Sequence, residues 1–355
     1  VNERTARGRA KVQHDIPAVR ICIPAFNAAR TLEHMLESLV HQTYSNIRIA
    51  ILNNRSTDGT QDIAHGYKAR FDNIEVFDFQ EHVSAEENFT RCLKLADGSF
   101  TALYHADDMY DEFIVEKQVN FLLKHPEVGA VFTAADYIDE HGVKAGQLKF
   151  PSEIVSKSLS VFDMREVLKT ILRYGNFLPC PSAMARSDIY RNEIAIWNGN
   201  RYGTGADLDV WLRILNKHKI GIINEPLLKY RVSNDSFNFR NTRLRTERHS
   251  LFRVLDDYVG MNKQFIENRD VDNYVLLQRE DDVLVRAMNM VFQNKACDAR
   301  QLLRSIFATT ESGIFLRTSR GRKLLITALI TFVISLLPLG DAGRRLLFQL
   351  RFRSV

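Results

Sequence analysis

The chain has 355 residues, 45% of them hydrophobic and 26% charged, enough for about two domains with a buried core; disordered, collagen-like and low-complexity classes are excluded. Its formal charge of +5 is uneven: residues 311–355 carry +6 and residues 1–20 carry +3, which leaves the body at −4. Basic ends on a mildly acidic body suggest an anionic surface met by the ends, and nucleic acid is not an expected partner. Cys22, Cys92, Cys180 and Cys297 lie far apart with no CxxC spacing, so neither a zinc site nor a disulfide framework is indicated and a reducing compartment fits best. The basic N-terminus is not followed by an apolar run, so no secretory signal is expected.

From residue 20 to about 134, short β-rich runs alternate with helical patterns. Strands are predicted at residues 20–24, 47–53, 74–78, 100–105 and 128–134. Between them apolar residues recur at helical spacing, as in Leu32, Met35, Leu36, Leu39 and Val40, and again in Ile114, Val119, Phe121 and Leu122. This alternation predicts βαβ units and a mainly parallel sheet. Ligands of such sheets bind beyond the carboxyl ends of the strands. Three loops there form one edge: Pro24-Ala25-Phe26-Asn27, then Asn53 to Thr60, then His105-Ala106-Asp107-Asp108. Residues 137–240 are less regular, with Pro179-Cys180-Pro181, a helix predicted over 207–218 and a strand over 220–223. Residues 243–304 read as helical.

Asp107 and Asp108 are hard oxygen ligands, the kind that hold Mg²⁺ or Mn²⁺ together with substrate phosphates. Alone, such a pair serves as often as a solvated turn or a cap ahead of Phe113; its place after a buried strand, level with two other loops, favours the metal. The Asn54 amide can both donate to and accept from a nucleobase edge. Phe26 offers a flat face for a base, or else belongs to the core. Ser56, Thr57 and Asp58 read as caps of the next helix.

Taken in order, Ile21-Cys22-Ile23-Pro24-Ala25-Phe26-Asn27, Gln42-Thr43-Tyr44, Asn53 to Thr60, Asn88 to Phe100 and Leu103-Tyr104-His105-Ala106-Asp107-Asp108 resemble the nucleotide-sugar half of the family 2 glycosyltransferases of GT-A fold. Further on, Ala206-Asp207-Leu208-Asp209-Val210-Trp211-Leu212-Arg213 is similar to the family's acceptor motif, and Glu225-Pro226-Leu227-Leu228-Lys229-Tyr230-Arg231 also fits. The resemblance spans roughly residues 19–236. It implies a Rossmann-like, mainly parallel α/β sheet flanked by helices, with donor contacts from Pro24, Phe26, Asn54 and Asp107. Asp107 and Asp108 would hold Mn²⁺ or Mg²⁺, and Asp207 would be the base that deprotonates an acceptor hydroxyl. Three positions depart from the usual pattern: His105 stands at the first position of the DxD, which assigns the chain to a subgroup with HADD, Asn53-Asn54 replace Asp-Asp, and Ala206 and Ser233 replace a Glu and a His. For Asp207 the alternative is an N-cap of the helix carrying Trp211 and Leu212. Asp209 is expected to face solvent or Arg213, its i+4 partner.

The resemblance implies an inverting transfer from a nucleotide-sugar, UDP-linked by expectation, to a lipid-linked saccharide acceptor in surface polysaccharide assembly. A fold that has lost catalysis and serves as a membrane scaffold, or a nucleotidyltransferase, are the rival readings. The latter calls for a Gly-rich basic loop after the first strand, which Pro24-Ala25-Phe26-Asn27 is not. Residues 324–339 form a charge-free run of 16 residues, shorter than the ~20 needed to span a bilayer. Thr327, Thr331 and Ser335 draw a polar stripe along it, and arginines flank it on both sides. The composition predicts a helix in the interface of an anionic membrane, on the inner face of the plasma membrane; packing on the catalytic domain and a homo-oligomer contact are the alternatives. The expected organisation is a basic arm (1–18), a catalytic domain (19–240, divided at 135 into nucleotide-sugar and acceptor halves), a helical region (241–310) and a basic amphipathic tail (311–355).

Overall fold

The computed structural model describes residues 16–156, 160–232, 245–307 and 312–336. Ser233, most of the basic arm and the tail beyond 336 lie outside these residues. One mixed sheet is built from β1 (Val19–Ala25), β2 (Ile47–Asn53), β3 (Ile74–Asp78), β4 (Phe100–Leu103), β5 (Met109–Tyr110), β6 (Val128–Ile138), β7 (Lys144–Leu148), β8 (Val161–Phe162), β9 (Met184–Arg186) and β10 (Lys219–Arg231). The order is β3-β2-β1-β4-β9-β6-β10-β5, with β7 on β6 and β8 on β10. The first four strands are mutually parallel, as the βαβ pattern requires, and β6 and β10 are parallel to each other. The three-residue β9 runs antiparallel between β4 and β6 and joins the two parallel groups.

Alternation along the strands feeds two cores. Val19, Ile21, Ile23 and Ala25 of β1 pack with Ile47, Ile49 and Ile51 of β2 against the apolar residues of helices Leu32–Val40, Thr60–Arg70 and Ile114–Lys124. On the other face Cys22, Ala50 and Leu52 meet helices Ala85–Lys94, Met164–Tyr174, Ala206–Leu215 and Leu251–Met261. A third core joins helices Val285–Phe292 and Ala296–Phe307 to Phe315 and to Leu324 and Ala328 of helix Ser319–Leu336. The boundary expected at residue 310 therefore runs through one packed unit, and helix 251–261 packs with the sheet.

The strand order fixes where a ligand can enter. The chain passes from β1 to β2 and β3 on one side, then returns to β4 on the other, so the order reverses between β1 and β4. The β1–β4 ladder ends at Cys22 with Leu103, whereas the β1–β2 ladder runs on to Ala25 with Asn53. Beyond Cys22 the β1–β4 ladder stops, and the switch point at which sheets of this kind form their ligand crevice falls between residues 23–27 and 104–108. The Cys22 carbonyl accepts from Tyr104 N at 3.1 Å, so the even positions of β1 address β4. Pro24, which has no N–H to give, falls where β4 has already left.

Candidate functional site

At the crevice, three short loops are tied together by side chains. Asn27 adopts φ 49°, which Asn tolerates well, and its Oδ1 accepts from Thr57 N at 2.8 Å while its own N–H donates to Ser56 Oγ at 3.0 Å. Asp58 accepts from Ala29 N at 3.1 Å and from Thr60 N at 3.0 Å. Ser56 and Asp58 thus lock the loop after β1 to the loop after β2. The helix begins only at Thr60 and has no side-chain cap from Gly59. Arg55, at φ 57°, is the residue there for which the left-handed conformation is costly.

Phe26 is no core residue: it is 47% exposed and its ring rests on His82 with centroids 4.3 Å apart. Asn54 is buried, and the amide that its sequence position offers to a base is already engaged. Its Nδ2 donates to the Val83 carbonyl at 2.7 Å, and its Oδ1 accepts from Val83 N at 3.0 Å and from Arg91 Nη1 at 3.1 Å. Asn54 acts on the crevice through the 81–83 loop, and so through His82 beneath Phe26, rather than with free polar atoms. Asn53 spends its amide on Asp78 Oδ1, at 2.7 Å, and on Ser56 N, at 3.1 Å.

After β4, the His105–Asp108 loop is clamped from three sides. Thr31 donates to the Ala106 carbonyl at 2.9 Å, and His105 N donates to the Tyr110 hydroxyl at 2.7 Å. Arg231, at the end of β10, gives its backbone N–H to Asp108 Oδ1 at 2.7 Å and its Nε to the Asp107 carbonyl at 2.8 Å. The ligand atoms of His105, Asp107 and Asp108 lie within 4.8 Å of one another. Asp108 Oδ2 and His105 Nε2 are buried with no partner among the described residues. Burial, reinforced by Asp107, raises the Asp108 carboxyl well above the carboxylate range; burial lowers His105 against the opposing pull of Asp107. Two adjacent orphaned acceptors, one imidazole and one carboxylate, beside the more open Asp107 are a donor set suited to a divalent cation.

Asp207 is the second amino-acid position of helix 206–215 rather than its N-cap, since Gly205 occupies the cap. Its Oδ1 accepts from Leu208 N at 2.7 Å and its Oδ2 from Asn176 Nδ2 at 3.3 Å. Burial pushes this carboxyl up to about 6. Segment 176–183 links it to the metal-type cluster: Asn176 holds Asp207, and the Ala183 carbonyl accepts from Leu103 N, at 3.1 Å, two residues before His105. In that segment burial, reinforced by the Asp207 and Asp108 carboxylates, raises the Cys180 thiol well above its usual value. Asp209 takes the Arg213 alternative and not solvent: it is buried, 2.9 Å from Arg213 Nε, its i+4 partner, and 2.9 Å from Asn198 Nδ2.

The structure therefore brings Phe26, Asn54, Asp107 and Asp108 to the β1–β4 crevice, and segment 176–183 ties Asp207 to the end of β4. In the sequence His105 reads only as a departure from the DxD, and Arg231 and Asn176 carry no expected role. The Tyr-Arg pair at the end of a strand was a signal for Arg231; Asn176 had none.

The sequence profile described as Glycosyl transferase family 2 matches residues 20–191. EpsE of Bacillus subtilis (strain 168), named as a candidate glycosyltransferase, is 29% identical over 227 residues, covering 63% of this chain and 77% of its own. TuaG of the same organism, named as a candidate teichuronic acid biosynthesis glycosyltransferase, is 26% identical over 223 residues, with 62% and 82% covered. Among solved structures, S. aureus TarS 1-349 in complex with UDP-GlcNAc superposes with a TM-score of 0.54 at 14% identity, over 94% of this chain and 87% of that one. The mannosyltransferase PcManGT of Pyrobaculum calidifontis, in complex with GDP-Man and Mn²⁺, gives 0.50 at 12% identity, with 89% and 87% covered. The architecture is the GT-A fold. Residues 20–191, just under half of the chain, match the glycosyltransferase family 2 profile, and they hold every part of the site above except Asp207 and Arg231.

Proposed function

We propose that this glycosyltransferase moves a sugar from a nucleotide-sugar, UDP-linked by preference, to a hydroxyl of a membrane-held, lipid-linked saccharide, with inversion at the anomeric carbon, in cell-surface polysaccharide assembly. The observation that carries the reading is the pair of orphaned acceptors, Asp108 Oδ2 and His105 Nε2, beside Asp107 at the point where the strand order reverses. Bound UDP-GlcNAc in TarS, and GDP-Man with Mn²⁺ in PcManGT, support a nucleotide-sugar and a divalent cation in a fold of this kind. The name of TuaG supports a surface-polysaccharide product.

His105, Asp107 and Asp108 would hold Mn²⁺ or Mg²⁺, whose chemistry is Lewis-acid neutralisation of the charge on a departing nucleoside diphosphate. Phe26 supplies the exposed ring on which the donor base stacks, held by His82 and, through Val83, by Asn54. Asp207 takes the proton of the acceptor hydroxyl as its oxygen bonds to the anomeric carbon and the bond from that carbon to the diphosphate oxygen breaks. With a carboxyl held near 6 by burial, Asp207 is ionised at neutral pH yet basic enough to accept a proton. No second carboxylate is required, as a single displacement implies. The test is release of nucleoside diphosphate from a panel of UDP- and GDP-sugars, with Mn²⁺ and with EDTA. Metal-dependent release from one donor, abolished by Asp207→Asn when acceptor is present, is expected. No release from any donor at any metal concentration would leave the scaffold reading instead.

A further inference from the structure

In helix Ser319–Leu336 the polar stripe faces inward. Thr331 and Ser335 are buried with Leu324 and Ala328, where this helix packs on helix Ala296–Phe307. The hydroxyls of Thr327, Thr331 and Ser335 donate back to the carbonyls of Lys323 (2.9 Å), Thr327 (2.8 Å) and Phe332 (2.6 Å), so they bring no unsatisfied donor into the contact. At Gly321 a Cβ would stand 2.5 Å from the Phe315 carbonyl oxygen, so only glycine permits the close approach at the head of the helix.

The opposite, outward face carries Ile326, Leu329, Val333 and Leu336, each 48–60% exposed and spaced three and four residues apart. Arg322 and Lys323 are exposed at its head. Arg322 Nη1 donates to the Leu316 carbonyl at 2.9 Å, which brings the exposed Leu316 and its neighbour Arg317 to the same end. Residues 313–336 include no Asp or Glu, and in residues 337–355 four arginines stand against Asp341 alone. Among the described residues no helix is long and apolar enough to cross a membrane.

We infer that the Ile326–Leu329–Val333–Leu336 face docks on an anionic lipid bilayer surface, the apolar side chains entering the acyl boundary and Arg317, Arg322 and Lys323 meeting phosphate headgroups. The inference deepens the reading of a membrane-held acceptor and rests on it. The charge pattern favours lipid over a second copy: the face carries Arg317, Arg322 and Lys323 at its head and no acid anywhere in residues 313–336, a match for anionic headgroups that an equally basic copy does not offer.

The experiment is co-sedimentation of the full chain with vesicles of phosphatidylglycerol and phosphatidylcholine (1:1) and of phosphatidylcholine alone. The wild type is expected to prefer the anionic vesicles at least about tenfold. Ile326→Ser/Leu329→Ser/Val333→Ser and, separately, Arg322→Glu/Lys323→Glu should each weaken partition about tenfold or more, with the unfolding temperature of the first nearly unchanged because its residues are exposed. Equal binding to both vesicles overturns the inference, as does wild-type partition by the triple variant, which would move the contact to residues 337–355. Self-association of the wild type without vesicles, lost in the triple variant, would assign the face to a second copy. Metal-dependent nucleotide release in vesicle-free buffer reads the catalytic proposal separately: its loss leaves vesicle binding standing, and failure of vesicle binding leaves release intact.

Discussion

The backbone N–H of Arg231 donates to Asp108 Oδ1 at 2.7 Å across 123 residues of sequence, while the same residue's guanidinium holds the Asp107, Asp139 and Glu140 carbonyls at 2.8–3.0 Å. One arginine thereby fixes the carboxylate loop to β10 and satisfies one lone pair of Asp108, leaving Oδ2 for a ligand. Arg231→Lys keeps the charge but loses the fork. It is expected to cost about 2–4 kcal/mol in urea unfolding, from two or more lost charge-assisted bonds. It should also raise the Mn²⁺ concentration that half-saturates nucleotide release about tenfold. Unchanged values in both measurements would show that the clamp is incidental.

Asp207, the base of the proposed transfer, is expected to set the acid limb of the activity profile. The transfer rate should rise with pH through a midpoint near 6, because the carboxyl must be ionised to accept the hydroxyl proton. Asp207→Asn is expected to lose about 10²- to 10⁴-fold in rate. Its stability should move the other way. The folded carboxyl stays protonated up to about 6 whereas the unfolded one ionises near 3.8, so the native state binds the extra proton in that window and the group costs stability as pH rises through it. The amide has no such cost, and the variant should unfold no earlier than wild type at pH 7.5. A flat acid limb in the wild type would remove Asp207 as the base.

His105 brings a nitrogen to a cluster otherwise made of oxygen. Imidazole suits transition metals such as Zn²⁺, whereas carboxylate suits Mg²⁺ and Mn²⁺, and Mg²⁺ in particular demands oxygen. His105→Asp should therefore shift metal preference toward Mg²⁺, and His105→Ala should weaken Mn²⁺ binding about tenfold or more, both read by thermal shift against metal concentration. Equal Mn²⁺ response in all three proteins would place His105 outside the metal shell.

Asn54 is expected to act through the 81–83 loop. Asn54→Ala removes the bonds to both polar atoms of Val83 and should lower stability by about 1–3 kcal/mol. It should raise KM for the donor more than it lowers kcat, since His82 then no longer backs Phe26. A kcat loss with unchanged KM would contradict this placement.

The parallel half of the sheet was legible because each of its strands is a β-rich run between helical patterns, and residues 47–53 and 74–78 coincide with the observed strands. β9 was not legible: Met184–Arg186 is too short to show a period, yet it joins the two parallel groups. The carboxylates were readable from their place after β4. The use of Asn54 was not, because an amide that pairs with a loop backbone looks, in sequence, the same as one that waits for a base. The Thr and Ser stripe of helix 319–336 reads in sequence as a polar face, yet Thr331 and Ser335 are buried in the packing. Hydroxyls that bond to their own helix are polar in composition and nearly apolar in packing.

The Arg231 clamp also bears on synthesis. Asp107 and Asp108 leave the ribosome long before β10 exists, and at about 5–20 residues per second the intervening 123 residues take about 6–25 s. During that interval the nascent chain carries the acidic loop without its anchor, and Asp207 joins only 24 residues before Arg231. The loop, Asp207 and the arginine clamp are thus complete only once β10 is made, and a product cut short before β10 would keep all of the matched residues 20–191 yet is expected to release no nucleotide.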